Sequence, residues 1–208
     1  MDSLDRLEEI FSHFPGIGPR QARRFAHYIL NKPASFSHQL AELLKKVRDL
    51  AIECPNCNRM YMDSGEKKAK DIPCPICQNP SRDHQTLMIT ARDSDFETIE
   101  KSGAYRGLYF ILGGTVPILD KEPEKRIRLR KLLEYISSLS DLKEIILSLN
   151  TTPDGEHTAN IVKNSLEKMT TTAGRMITIS VLGRGLSTGA ELEYADKETI
   201  RNALSSRQ

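Results

Sequence analysis

The sequence predicts an α/β chain in four parts: a helical N-terminal domain, a small four-cysteine module, a mostly parallel α/β domain and a C-terminal strand–helix segment. Before residue 52 the apolar residues recur only at helical spacing. The only four cysteines, Cys54, Cys57, Cys74 and Cys77, form two C-x-x-C corners separated by sixteen residues. From Thr86 onward, short apolar runs alternate with amphipathic stretches, as in a parallel sheet covered on both faces. The boundaries fall at residues 1–52, 53–80, 81–182 and 183–208.

Composition narrows the function. With 38% apolar and 28% charged residues, the chain is globular rather than disordered. Its net charge of +2 does not mark a general nucleic-acid binder, so any DNA surface must be a local patch. No apolar run approaches the length of a membrane span. The opening M-D-S-L-D-R-L-E-E-I is acidic and amphipathic, unlike a signal or transit peptide, so a cytoplasmic location is expected.

Leu4, Leu7, Ile10, Phe11 and Phe14 predict a first helix over about 3–13. Pro15-Gly16 and Gly18-Pro19 mark a tight turn, and Pro19 suits the first turn of a second helix. That helix directs Ala22, Phe25, Ala26 and Ile29 or Leu30 toward a core and ends near Asn31 and Pro33. Leu40, Leu43, Leu44, Val47 and Leu50 predict a third over about 36–51. Helix, P-G-I-G turn and helix together resemble a helix-hairpin-helix DNA-binding motif. Gly16 and Gly18 let the backbone approach a phosphate, and the amides and dipole at the second helix's start favour an anion. Arg20, Arg23 and Arg24 follow, with no acidic residue between Phe14 and Lys32. Such contacts hold DNA by its backbone, with little sequence information. The alternative is an ordinary helical turn with a solvated basic face. His27 and His38 read as surface or packing residues.

The paired C-x-x-C corners have the spacing of a closed tetrahedral Zn²⁺ shell, with two thiolates on each of two turns. Two disulfides or two redox pairs are the alternatives. Four thiolates leave no open coordination position, so one zinc here is structural. Residues 53–80 hold too little apolar material to fold by burial alone. The insert predicts a short hairpin turning at Ser64-Gly65. Lys67, Lys68 and Lys70 there read as a DNA contact or, among Asp63, Glu66 and Asp71, as a solvated face.

In the α/β part, L-M-I-T, L-Y-F-I-L, E-I-I-L-S-L-N and M-I-T-I-S-V-L read as strands. D-S-D-F-E-T-I-E-K-S-G reads as a helix capped by Gly103, residues about 122–138 as one charged helix, and H-T-A-N-I-V-K-N-S-L-E-K-M as another. Ile127, Leu129, Leu132, Leu133 and Ile136 line the inner side of the charged helix. Ligands of such sheets sit beyond the carboxyl ends of the strands, where loops 91–95, 113–120 and 150–156 gather. There Asp93, Asp95, Asp154 and Glu156 read either as Mg²⁺ ligands or as a cap (Asp93) and solvent-facing acids. G-R-G-L-S-T-G lacks the lysine of a P-loop and reads as a tight loop with a possible phosphate or partner contact. A short E-L-E-Y and a helix from about Asp196 end the chain.

In this order the motifs resemble the bacterial RecR family of recombination mediators over essentially the whole chain. F-P-G-I-G-P-R-Q-A-R-R-F-A is similar to the family's L-P-G-(I/V)-G-P-K-S-A-x-R-x-A, which maps a DNA-contacting basic pair onto Arg20 and Arg24. The cysteine corners are similar to its zinc finger. N-T-T-P-D-G-E-H-T-A-N and G-L-S-T-G-A-E-L-E-Y-A-D resemble its N-P-x-x-E-G-E-A-T-A and G-x-P-x-G-x-E-L-E-Y-x-D. The resemblance implies a Toprim-type α/β domain and a homo-oligomer, a ring-shaped tetramer or a dimer able to encircle DNA. With no apolar run long enough to span a bilayer, no membrane partner is expected. The resemblance also implies sequence-independent binding of single- and double-stranded DNA, with RecO, and in some organisms RecF, as partners. Such proteins help load RecA onto strands coated by single-strand-binding protein and are regarded as non-catalytic. Three positions depart: Ala91 replaces the acid closing the first Toprim strand, Asp154 a glutamate, and Ser187 a proline. The competing function is a Mg²⁺-dependent Toprim nuclease or topoisomerase-like enzyme, which needs the acid that Ala91 replaces.

Overall fold

The computed structural model describes residues 2–62, 72–120, 122–183, 197 and 199–201. The chain divides into two compact units, Met1–Ala51 with Met62–Lys68 and Ile52–Tyr61 with Ala69–Gln208.

The first unit is helical: α1 (Ser3–Ser12), α2 (Pro19–Leu30) and α3 (Ala34–Leu50). Asp2 caps α1 by accepting from the amides of Leu4 and Asp5 at 2.8 and 2.9 Å, and Asp5 returns a bond to the Asp2 amide. α1 packs on α2 over Ala22 and Ala26, which are fully buried. The small alanines bring the helices close, so larger side chains flank the seam instead of entering it. Phe25 therefore remains 43% exposed, contrary to the inward placement expected from spacing, and of the alternatives Ile29 and Leu30 it is Ile29 that is half-buried while Leu30 is exposed. Phe25 meets Phe11 edge to face at 6.0 Å. α3 forms where the spacing predicts a helix, but none of its residues is buried, and Leu43, Leu44 and Val47 are exposed.

Next in the chain come two short paired strands, β1 (Ala51–Glu53) and β2 (Met60–Met62), and the helical turn α4 (Pro75–Gln78). There follow β3 (Asp83–Thr90), α5 (Asp93–Ser102), β4 (Gly107–Ile111), α6 (Pro123–Arg126), α7 (Leu129–Ser138), β5 (Glu144–Ser148), α8 (Pro153–Ala173) and β6 (Thr178–Val181). Strands β3 to β6 form a wholly parallel sheet in the order β4-β3-β5-β6, with Thr90 in register with Ile111 and Ser148.

The strands alternate their side chains as a pleat requires. Leu87, Ile89, Leu108, Phe110, Ile145 and Leu147 join Leu132 and Ile136 of α7 and Val162 and Leu166 of α8 in one core. Met88, Tyr109 and Ile111 turn to the opposite face and meet Phe96 of α5. Each fully buried leucine or isoleucine contributes about 1.5–3 kcal/mol. Gly103 closes α5 at φ 68°, as its position predicts.

Two element boundaries differ from the sequence reading. The expected single helix over 122–138 is broken at Ile127, which is extended, because the Arg128 amide leaves the helical ladder and donates to Leu112 O beyond β4 at 2.9 Å. The expected loop T-T-P-D-G-E is instead the start of α8. Thr152 caps it through the Gly155 amide, Pro153 takes the first position, and Gly155 fits where a Cβ would lie 2.0 Å from Asn150 O. The Ser64-Gly65 turn, with Lys67, Lys68, Lys70 and their acidic neighbours, lies outside the described residues, as do G-R-G-L-S-T-G beyond Gly183 and E-L-E-Y.

Candidate metal centre and nucleic-acid interface

The two C-x-x-C corners are built alike. The Asn58 amide donates to Cys54 O at 3.0 Å, and the Gln78 amide to Cys74 O at 3.1 Å, so each corner is one closed turn. Asn58 completes the first turn in the left-handed region at φ 56°, a conformation asparagine tolerates better than most residues. The four sulfurs lie within 4.8 Å of one another. Cys54 to Cys77 is 3.9 Å and Cys57 to Cys74 is 3.7 Å, and all four are free thiols rather than disulfides. Thiolates bound about 2.3 Å from a tetrahedral Zn²⁺ stand about 3.8 Å apart, so the donor set fits a divalent metal of that size. The Cys74 amide adds a 3.2 Å bond to the Cys54 sulfur. The thiols act on one another strongly: the Cys54 thiol is pushed down by its bond to Cys57, while Cys57 and Cys77 are pushed up, each first through its bond to Cys54. Such a cluster cannot ionise fully without a cation at its centre.

This centre is fastened to the sheet. The Ile111 amide at the end of β4 donates to Cys57 O at 2.8 Å. Lys131 of α7 bonds Asn58 Oδ1 at 2.9 Å and Glu53 at 3.2 Å, and Arg128 pairs with Glu53 at 3.4 Å. The Arg59 guanidinium lies 4.6 Å from the Phe96 ring centre. Ile76 packs against both the cysteine cluster and the Met88–Phe96 core. Burial pushes the Tyr135 phenol upward, and the neighbouring sulfurs of Cys77 and Cys57 add to it, so this α7 side chain faces the sulfur shell. Sequence reasoning missed these supports. Tyr135 carried the one available signal, a polar tip on an otherwise aliphatic helix face, which calls for a polar neighbour.

Three of the four acids at the carboxyl end of the sheet accept from separate backbone amides. Asp93 Oδ1 accepts from the Met60 amide at 2.9 Å, so it anchors β2 and does not cap its own helix. Asp95 caps α5 instead, accepting from the Arg92 amide at 3.0 Å. Asp154 accepts from the Ile118 amide at 3.3 Å, and Glu156 lies in the first turn of α8. Ala91, where a Toprim acid was expected, is buried, and its carbonyl accepts from the Gly113 amide. Among the described residues, the four cysteines are the one group of His, Cys, Asp and Glu gathered closely enough to hold a metal.

In the helical unit, Gly16 adopts φ 75°, and nothing lies within 4 Å of a Cβ at either Gly16 or Gly18. The Ile17 amide donates to Phe14 O, and the Gly18 amide donates to Gln21 Oε1. Arg23 pairs with Glu8 at 3.2 Å. Arg20 and Arg24 are exposed, one turn apart, and make no ion pair among the described residues. Arg23, which the family resemblance left out of the basic pair, is thus the one of the three arginines held by an acid among the described residues.

No described helix is long and apolar enough to cross a membrane. Three family models match the chain: RecR helix-hairpin-helix over residues 4–48, the Toprim domain over 85–177, and the RecR C-terminal region over 185–208. The chain is 33% identical over 207 residues to the recombination protein RecR of Bifidobacterium adolescentis, covering 99% of this chain and 96% of that protein. It is 34% identical over 207 residues to RecR of Chlorobium chlorochromatii, again covering 99% and 96%. It is 34% identical over 204 residues to RecR of Methylorubrum populi, covering 98% and 94%. With helix-hairpin-helix, four-cysteine cluster and parallel Toprim sheet in this order, the chain belongs to the RecR family of recombination proteins.

Proposed function

We propose that the chain is a non-catalytic mediator of recombination in DNA repair that holds DNA by its phosphates. Gly16 and Gly18 admit the DNA backbone, and Arg20 and Arg24 bind it. The observation that carries the reading is that Arg20 and Arg24 are exposed and make no ion pair among the described residues, beside a glycine turn with open space over both glycines. Binding through phosphates takes single or double strands of any sequence. One Zn²⁺ on Cys54, Cys57, Cys74 and Cys77 is structural, supported by sulfur spacings of 3.7 and 3.9 Å. The chain acts in the cytoplasm as a homo-oligomer, a ring-shaped tetramer or a dimer. It works with RecO, and with RecF where present, to help load RecA onto strands coated by single-strand-binding protein. Its parts divide at residues 1–52, 53–80, 81–182 and 183–208.

The competing Mg²⁺-dependent cleavage requires carboxylates converging on one ion. The separate bonds of Asp93, Asp95 and Asp154, and Ala91 at the end of β3, support the non-catalytic reading. Replacing Arg20 and Arg24 with alanine is expected to weaken binding to all sequences alike. It should also flatten the dependence of log affinity on log salt, by about 0.9 on duplex DNA for each phosphate that is no longer neutralised. Unchanged affinity and slope would remove the hairpin from the DNA interface.

A further inference from the structure

We infer that the exposed face of α2 is a base-stacking site, in which Tyr28 and Phe25 hold an unpaired nucleobase of the strand whose phosphates Arg20 and Arg24 bind. The inference rests on the DNA-binding reading of the hairpin and adds the form of DNA preferred.

Arg20, Arg24 and Tyr28 follow one another at four-residue spacing and so lie along one side of the helix. Gln21, Arg24, Phe25 and Tyr28 line an open hollow of about 410 Å³. Phe25 and Tyr28 are 43% and 53% exposed, although α2 belongs to a well-formed helix pair. Both rings keep exposed surface while making edge-to-face contacts with neighbours. Phe25 uses an edge-to-face contact with Phe11, and Tyr28 another with Phe36 at 6.2 Å. Lys32 Nζ sits 4.7 Å from the Tyr28 ring centre.

Charge selects the guest. α2 has no acidic residue, and Arg24 lines the hollow itself. An aromatic hollow whose described lining carries Arg24 and no acid, with Lys32 over one of its rings, fits a polyanion that carries flat rings, which is a single-stranded nucleic acid. A duplex hides its base faces in its own stack, so it can meet the arginines but not Tyr28. Stacking is tolerant of sequence because every base has a π-face.

The test uses the full-length, zinc-loaded protein and fluorescence anisotropy with three probes of equal phosphate count: oligothymidylate, a duplex, and an oligonucleotide whose central residues are abasic. Tyr28→Ala is expected to lower affinity for oligothymidylate about tenfold and to leave duplex affinity within about twofold. Tyr28→Trp is expected to retain the affinity, and, because the chain has no tryptophan, to report stacking by quenching of its own fluorescence. The wild type should bind the abasic strand about as weakly as Tyr28→Ala binds oligothymidylate. Equal losses on single strand and duplex, no loss on either, or full affinity for the abasic strand would overturn the inference. So would a Tyr28→Ala chain that changes oligomeric mass while keeping its strand preference, because the face would then belong to a second copy. If replacing Arg20 and Arg24 weakens every probe while Tyr28→Ala weakens none, the stacking site falls and the phosphate grip stands. If the arginine variant binds normally, the grip itself falls.

Discussion

Gly16 and Gly18 stand two residues apart in one turn, and the chain asks different things of them. Gly16 holds φ 75°, so a side chain there strains the backbone. Gly18 is extended, with φ −83° and ψ 170°, and tolerates a Cβ within the chain itself. Gly16→Ala is therefore expected to cost about 1–2 kcal/mol of stability. Gly18→Ala should melt close to the wild type yet bind DNA more weakly, because the added methyl would fill the open space that the proposed function gives to a phosphate. Thermal melts and binding isotherms on both variants check this, and a Gly18→Ala protein with wild-type affinity would mean the turn is not approached. A second residue-scale prediction concerns Tyr105, whose phenol donates to Leu108 O at 3.0 Å and is pushed up to about 12, chiefly by burial. Its stabilising effect is complete below the ordinary tyrosine pKa near 10 and is lost as pH rises from there to about 12. Denaturant melts across that range should show stability falling with pH, and Tyr105→Phe should flatten part of the fall.

At the scale of elements, the cysteine module acts as a staple between short strands that cannot hold themselves and a sheet that can. Its bonds to Ile111, Asp93 and Lys131 reach three elements of the α/β domain. A structural zinc contributes about 10–16 kcal/mol of apparent binding energy in small domains, far more than these bonds. Chelating the metal, or Cys74→Ser, should make residues 53–80 protease-sensitive, and the intact protein should hold about one zinc per chain. Acid should act as the chelator does, since thiolates must reprotonate to release the ion, so the staple is present at neutral pH and lost as pH falls. A finger that resists protease without metal would refute the role. Much of this scale was legible in the sequence because it is local: the C-x-x-C spacing, the alternating apolar runs, and Gly103 as a cap. What escaped depends on distant partners. The break at Ile127 arises because Leu112 O captures the Arg128 amide, and Asp93 looks like a helix cap until Met60 takes its carboxylate. α8 begins early because Thr152 and Pro153 start a helix where Pro and Gly suggested a loop. α3 shows helical periodicity, yet periodicity does not say what covers Leu43, Leu44 and Val47.

At the scale of the whole molecule, labour is divided. In the proposed reading the hairpin helix grips DNA, the four-cysteine cluster holds its strands to the sheet, and the Toprim sheet serves as scaffold, with Asp93, Asp95 and Asp154 spent on backbone amides. Family membership makes this a recombination protein, and the mediator role predicts an effect on another protein's filament. The most direct test measures RecA filament formation, followed by its ATPase, on single strands coated by single-strand-binding protein with RecO and Mg²⁺ present. The wild-type chain should shorten the lag without cutting the DNA, and the variant with Arg20 and Arg24 replaced by alanine should leave the lag as it is without the chain. An equal shortening by that variant, or strand cleavage abolished by Asp154→Asn, would contradict a non-catalytic mediator that works through the hairpin.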